Sequence, residues 1–157
     1  MARRQARALP GFPGTLPATL AEAYACQDAA IRLWPDRVVG WKVGYIAPAR
    51  RDVEGDDRVT GPIFQAAVWP DQPGRSLAFP VFVGGFAAVE AEYVFRLNED
   101  APANRLHWSA EQAAELASTL HIGVETAGSP MAMINELGPT AVVADFGNNA
   151  GLVRMLH

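Results

Sequence analysis

Glu90 and Glu92 stand two residues apart in Ala-Val-Glu-Ala-Glu-Tyr-Val-Phe, a stretch rich in β-formers. In a strand, residues two apart project from the same face. Two carboxylates held ~4 Å apart repel by about 4 kcal/mol at an effective dielectric of about 20. Phe86, Val89, Val94 and Phe95 make this strand partly buried, so the repulsion needs an answer. A shared proton, a paired arginine or a divalent cation would each supply one. A half-exposed antiparallel strand with a solvated charged face, extended by Arg96, fits the same alternation. Glu125 adds weight to the cation, because it is a further isolated acid in a short apolar strand, His121-Ile122-Gly123-Val124-Glu125. Three carboxylates on adjacent strands make a hard, oxygen-only site of the kind Mg²⁺ or Mn²⁺ prefers. Zinc has no support, since Cys26 is the only cysteine and the histidines are unpaired.

Lys42, the only lysine of the chain, lies between Trp41 and Val43, where partial desolvation would suit it to acid–base work. A lysine whose head group snorkels into water fits the same context. His107 and His121 read as loop and structural residues, and Asp145-Phe146-Gly147-Asn148-Asn149 is turn chemistry. Lys42 is followed by Val43, which excludes a P-loop, and Ser129 in Ala-Gly-Ser-Pro is not a nucleophile elbow.

The elements that must position these groups follow from periodicity and punctuation. Residues 1–14, rich in Arg, Pro and Gly, are expected to form a flexible arm ahead of a single domain over 15–157. Thr15 with Pro17 predicts a helix running to about Leu33. Val38 to Ile46 reads as β, 47–60 as a solvated loop, and Ile63 to Val68 as a short strand. Val81, Val83 and Val89 to Leu97 form the most strand-like segment. Ser109 and Gln112 make a capping box for a helix through Leu120. Ile122 to Thr126 is predicted as a strand, Ser129-Pro130 as the start of a brief helix, and Thr140 to Ala144 as a buried strand.

Composition narrows the class. With 157 residues, 50% hydrophobic, the chain is long enough to bury ~68–70% of its unfolded surface as one domain. A net charge of −4, with arginines scattered rather than striped, speaks against nucleic acid as a partner. Leu77 to Val89 is too short and is broken by Pro80, so no membrane span is expected, and Pro10, Pro13 and Pro17 break any signal-peptide core. One cysteine suggests a reducing compartment, and a cytoplasmic location is expected.

Six blocks occur in order: Ala-Tyr-Ala-Cys-Gln at 23–27, Gly-Trp-Lys-Val-Gly at 40–44, Gly-Pro-Ile-Phe at 61–64, Val-Glu-Ala-Glu at 89–92, Gly-Val-Glu at 123–125 and Ala-Asp at 144–145. Their order and spacing resemble the 2-keto-4-pentenoate hydratase branch of the fumarylacetoacetate hydrolase superfamily. The resemblance implies an α+β fold, a mixed β-roll of the fumarylacetoacetase C-terminal-like type with an N-terminal helical segment. Because the chain is shorter than the family's, that roll is expected to be incomplete. It further implies Mg²⁺ or Mn²⁺ on Glu90, Glu92 and Glu125, and Lys42 as the acid–base group. The implied substrate is a small 2-oxo or 2-hydroxydienoic acid from the breakdown of aromatic compounds, handled by a homo-oligomer. Asp145 and Asn148 fall where the family binds substrate, and Arg50 or Arg51 is expected to take the substrate carboxylate. A decarboxylase or C–C hydrolase of the same superfamily would use the same metal logic, and an inactive binding or structural protein, with the acids as surface decoration or a vestigial site, is the competing class. The chain departs from the pattern at Gly128-Ser129-Pro130, where Asp-Ser-Arg is common. It departs again at Asp145-Phe146-Gly147-Asn148, in place of Asp-Asn-Ala-Ser, and at Ile46-Ala47, in place of Thr-Ser.

Overall fold

The computed structural model describes residues 2–51 and 57–155. Helix α1 spans Leu20–Leu33. It starts later than expected because Thr19, not Thr15, carries the cap: its side chain accepts from the Glu22 amide at 3.2 Å. Glu22 reaches back to accept from the Ala18 amide at 2.8 Å, so Pro17 lies in the lead-in. Ala23 and Gln27 form the buried face of α1. The Gln27 amide donates to the carbonyls of Thr60 at 3.0 Å and Val143 at 2.8 Å, so a buried polar group becomes a tie to two other elements.

Strands β1 (Val38–Tyr45) and β2 (Arg58–Phe64) pair antiparallel, from Tyr45 against Arg58 to Val38 against Phe64. β2 lies earlier than predicted and contains Gly61-Pro62, which a two-stranded ladder tolerates at its free edge. Much of the expected 47–60 loop is thus a short 3₁₀ turn, Pro48–Arg50, and strand, while 52–56 lie outside the described residues. A second, mixed sheet runs β3-β6-β5-β4 through β3 (Val68–Pro70), β4 (Phe86–Leu97), β5 (Ala117–Ser129) and β6 (Asn149–Arg154). β3 pairs parallel with β6, and the other neighbours are antiparallel.

Two expectations give way to tertiary context. The Ser109–Gln112 capping box forms, but α2 covers only Ala110–Glu115. From Ala117 the chain is drawn into β5, where Leu120 faces Phe95 and Thr119 faces Arg96. Thr140 to Ala144 is not a strand but helix α4 (Pro139–Ala144), with Pro139 pre-set for the first turn and Val142 N–H bonded to Gly138 at 3.1 Å. The brief helix after Ser129 is α3 (Ile134–Leu137), separated from α4 by Gly138 at φ 99°.

Two apolar clusters hold these pieces together. Ala23, Ile46, Val59 and Val143 join α1 and α4 to β2 and to the residue after β1. Met131, Ile134 and Ala141 pack with Leu9, Phe12 and Leu16. The N-terminal segment touches the body: Leu9 N–H donates to Pro130 O at 2.8 Å, and Arg7 bridges Val83. No helix among the described residues is long and apolar enough to cross a membrane.

Candidate metal centre

The register of β4 on β5 sets the acids. Glu90 faces Glu125 and Glu92 faces Gly123, so all three carboxylates project from one side of the hairpin. One oxygen from each lies within 4.8 Å of the others. A Cβ on Gly123 would stand 2.7 Å from Val94 Cγ2 and 3.1 Å from Val153 O, so this glycine lets β4 and β6 close on β5 next to the acids. Glu90 is exposed, Glu92 half-buried, and Glu125 only 2% exposed.

Glu125 is held on one oxygen and bare on the other. Its Oε1 accepts from Asn149 Nδ2 at 2.9 Å and lies 3.4 Å from Lys42 Nζ. Its Oε2 is buried without a hydrogen-bond partner among the described residues. Burial pushes the Glu125 carboxyl above its usual range, and neighbouring Glu90 adds to the rise. Lys42 and the Asn149 hydrogen bond pull it back down. An unsatisfied buried carboxylate oxygen costs roughly 1–3 kcal/mol or more. A bare oxygen inside an all-carboxylate cluster is what a hard divalent cation would satisfy, so the residues present fit Mg²⁺ or a similar ion.

Lys42 reaches this cluster from the other sheet through two glycines. It pairs with Gly61 across β1–β2, and a Cβ on Gly61 would collide with the Phe146 carbonyl oxygen. That close approach brings the Phe146-Gly147 backbone under Lys42, whose Cδ is 3.3 Å from where a Gly147 Cβ would lie. Phe146, Gly147 and Asn148 are all left-handed, at φ 60°, 63° and 63°. Asn and Gly adopt that conformation readily, but for Phe it is strained by roughly 1–2 kcal/mol. Phe146 is kept there by packing against Trp34 and Phe64, with ring centroids 5.4 and 5.1 Å away.

The residues expected to bind substrate are dispersed. Asn148 is buried in this turn, and its Oδ1 has no partner among the described residues. Asp145 is fully engaged by Arg3 and by the Ser129 hydroxyl, which donates to it at 2.6 Å. Arg50 donates to Asn135 O, and Arg51 donates to Ile46 O at 2.8 Å while stacking on Tyr45. Both arginines line a separate small cleft of about 110 Å³ with Leu20, Pro139 and Thr140, and neither bonds the three acids. Asn149 was not foreseen. The register shifts between Thr126 and Ala127 on β5, so that Thr126 faces Gly151 but Ala127 faces Asn149. This bulge turns Asn149 onto the Glu125 face. Only the run of two asparagines after Gly147 hinted at a role there.

No family model matches the sequence, and no curated protein matches it either. Among solved structures the chain is similar to 4-oxalocrotonate decarboxylase from Pseudomonas putida G7. Against the complex with magnesium and adipate the TM-score is 0.68 at 19% identity, covering 98% of this chain and 57% of that one. Against the complex with calcium and acetate the TM-score is 0.66 at 18% identity, with the same coverage. The likeness shows the fold. It is α+β, of the fumarylacetoacetase C-terminal-like type. The chain spans 57% of the length of these neighbours.

Proposed function

We propose that this chain carries a divalent-metal site, held by Glu90, Glu92 and Glu125, that acts on small 2-oxo or 2-hydroxydienoic acids with Lys42 as the proton-moving group. One observation carries the reading: Glu125 is buried with one oxygen bare, facing Glu90, while Lys42 stands 3.4 Å from the other oxygen. The fold supports it, since the similar decarboxylase is complexed with magnesium in one structure and calcium in another.

When bound, Mg²⁺ or Mn²⁺ would supply Lewis acidity toward a substrate carboxylate and 2-oxygen. The chain's own residues do the rest. Glu125 holds the Lys42 ammonium at the cluster, and Asn149 fixes the Glu125 carboxylate. Lys42 Nζ gives its proton to C5 of 2-hydroxypenta-2,4-dienoate and takes back the one released by the 2-hydroxyl, which yields the α,β-unsaturated ketone. Water then adds its oxygen to C4 and a proton to C3, giving 4-hydroxy-2-oxopentanoate. Of the groups expected to touch substrate, Asn148 offers a free acceptor, and Arg50 or Arg51 would need another route to a substrate carboxylate. Association of copies is part of the reading: β4 is the edge of its sheet and exposes Val89, Tyr93 and Phe95.

Decarboxylation is a second reading, favoured by the named activity of the similar structures. Incubation with Mg²⁺ or Mn²⁺ separates them. Loss of dienol absorbance without gas release marks a hydratase, and carbon dioxide from a 2-oxo-dicarboxylic substrate marks a decarboxylase. Failure of both, in a folded and metal-loaded sample whose rates match those of Glu90→Gln, would contradict the enzyme reading.

A further inference from the structure

Arg3 is 142 residues from Asp145 in sequence, yet its guanidinium is almost fully enclosed beside it, 11% exposed. Nε donates to Asp145 Oδ1 at 2.6 Å, and Nη2 donates to Oδ2 and to the Asp145 carbonyl, each at 3.1 Å. Nη2 also donates to Gly128 O at 2.5 Å, and Nη1 to Asn149 O at 2.7 Å. The rings of Phe82 and Phe146 lie on it, each with its centroid 5.3 Å from the guanidinium carbon. One carboxylate, three carbonyls and two aromatic faces make a slot shaped for a planar, multiply donating cation.

The slot's members are the flanks of the strained turn. Asp145 precedes the left-handed run Phe146-Gly147-Asn148, Asn149 follows it, and Gly128 belongs to the strand carrying Glu125. Arg3 therefore clamps both ends of the turn to β5. The same turn presents Asn149 Nδ2 to Glu125 and supplies the Gly147 backbone over which Lys42 passes. We propose that Arg3 is a positioning residue for the carboxylate cluster: by filling the slot it holds Asn149 against Glu125 and so sets the cluster's affinity for a divalent cation. This inference rests on the metal reading above.

A lysine in its place would bring a point charge without the fork, and it would leave most of the acceptors unserved. Loss of an outer partner that orients a metal ligand costs roughly 10–100-fold in affinity. Mn²⁺ binding to the full chain, followed by electron paramagnetic resonance, tests the proposal in Arg3→Ala, Arg3→Lys, Glu90→Gln and the packing control Ile134→Val. Arg3→Ala and Arg3→Lys are expected to weaken binding by roughly tenfold or more. Added methylguanidinium should restore much of the loss in Arg3→Ala only, and Ile134→Val should bind as wild type. Should Arg3→Ala fail to fold, Arg3→Lys carries the test. Wild-type affinity in the Arg3 variant that folds, or an equal loss in Ile134→Val, overturns the proposal. If Glu90→Gln binds Mn²⁺ as wild type does, the metal reading falls and takes the proposal with it. If Glu90→Gln loses binding while the Arg3 variants keep it, the proposal alone is wrong.

Discussion

Lys42 Nζ lies 3.4 Å from Glu125 Oε1, although the two residues belong to different sheets. The contact depends on backbone meeting backbone at Gly61 and Gly147, so the chemistry of the cluster is coupled to how the two sheets approach. Each consequence can be measured.

Gly61→Ala should be among the most damaging single changes outside the clusters. Its Cβ would enter the Phe146 carbonyl and force β2 from the turn. A loss of about 1–3 kcal/mol is expected, as for other overpacked sites. Urea unfolding would show it, and an unchanged midpoint would mean that the close approach is not required.

Glu125 makes the metal-free protein sensitive to pH in a defined direction. Its folded carboxyl titrates above its ordinary value of 4.5, burial being the main cause. Over that interval the folded state binds more protons than the unfolded chain. Stability from this group is therefore full below 4.5 and lost as pH rises through the folded value. Thermal unfolding of wild type minus that of Glu125→Gln, without metal, should show a relative loss on going from acid toward neutral pH. A difference that is flat, or rises with pH, would contradict the burial.

Lys42→Met should separate proton transfer from metal binding. Exchange of solvent deuterium into a 2-oxo acid is expected to vanish, while Mn²⁺ affinity stays within several-fold of wild type, since the lysine is not a ligand. Persistent exchange would remove Lys42 from its proposed role.

The acids were legible in the sequence because a two-residue period places Glu90 and Glu92 on one face whatever the strand's partners. Glu125 stood out as an acid in an apolar strand, and register then set it opposite Glu90. Asn149 was not legible, because the bulge that turns it toward Glu125 exists only once β5 and β6 are paired. Arg3 was hidden by its distance in sequence: an arginine in a Pro/Gly-rich opening looks the same whether solvated or enclosed. Thr140 to Ala144 was misread for a local reason. A five-residue apolar run has no period to distinguish a buried strand from a helix, and Gly138-Pro139 marked a helix start as well as a stop. The end of α2 was set by β4, whose pairing with Ala117 to Leu120 outweighed helical spacing.

Divalent-ion binding to the wild-type chain, set against Glu90→Gln and Glu125→Gln by titration calorimetry with Mg²⁺ and Mn²⁺, tests the central claim most directly. One ion per chain, with affinity falling by roughly 10-fold or more in both variants, is the predicted result. Binding that is undetectable in folded wild-type protein, or unchanged when either carboxylate is neutralised, would contradict it.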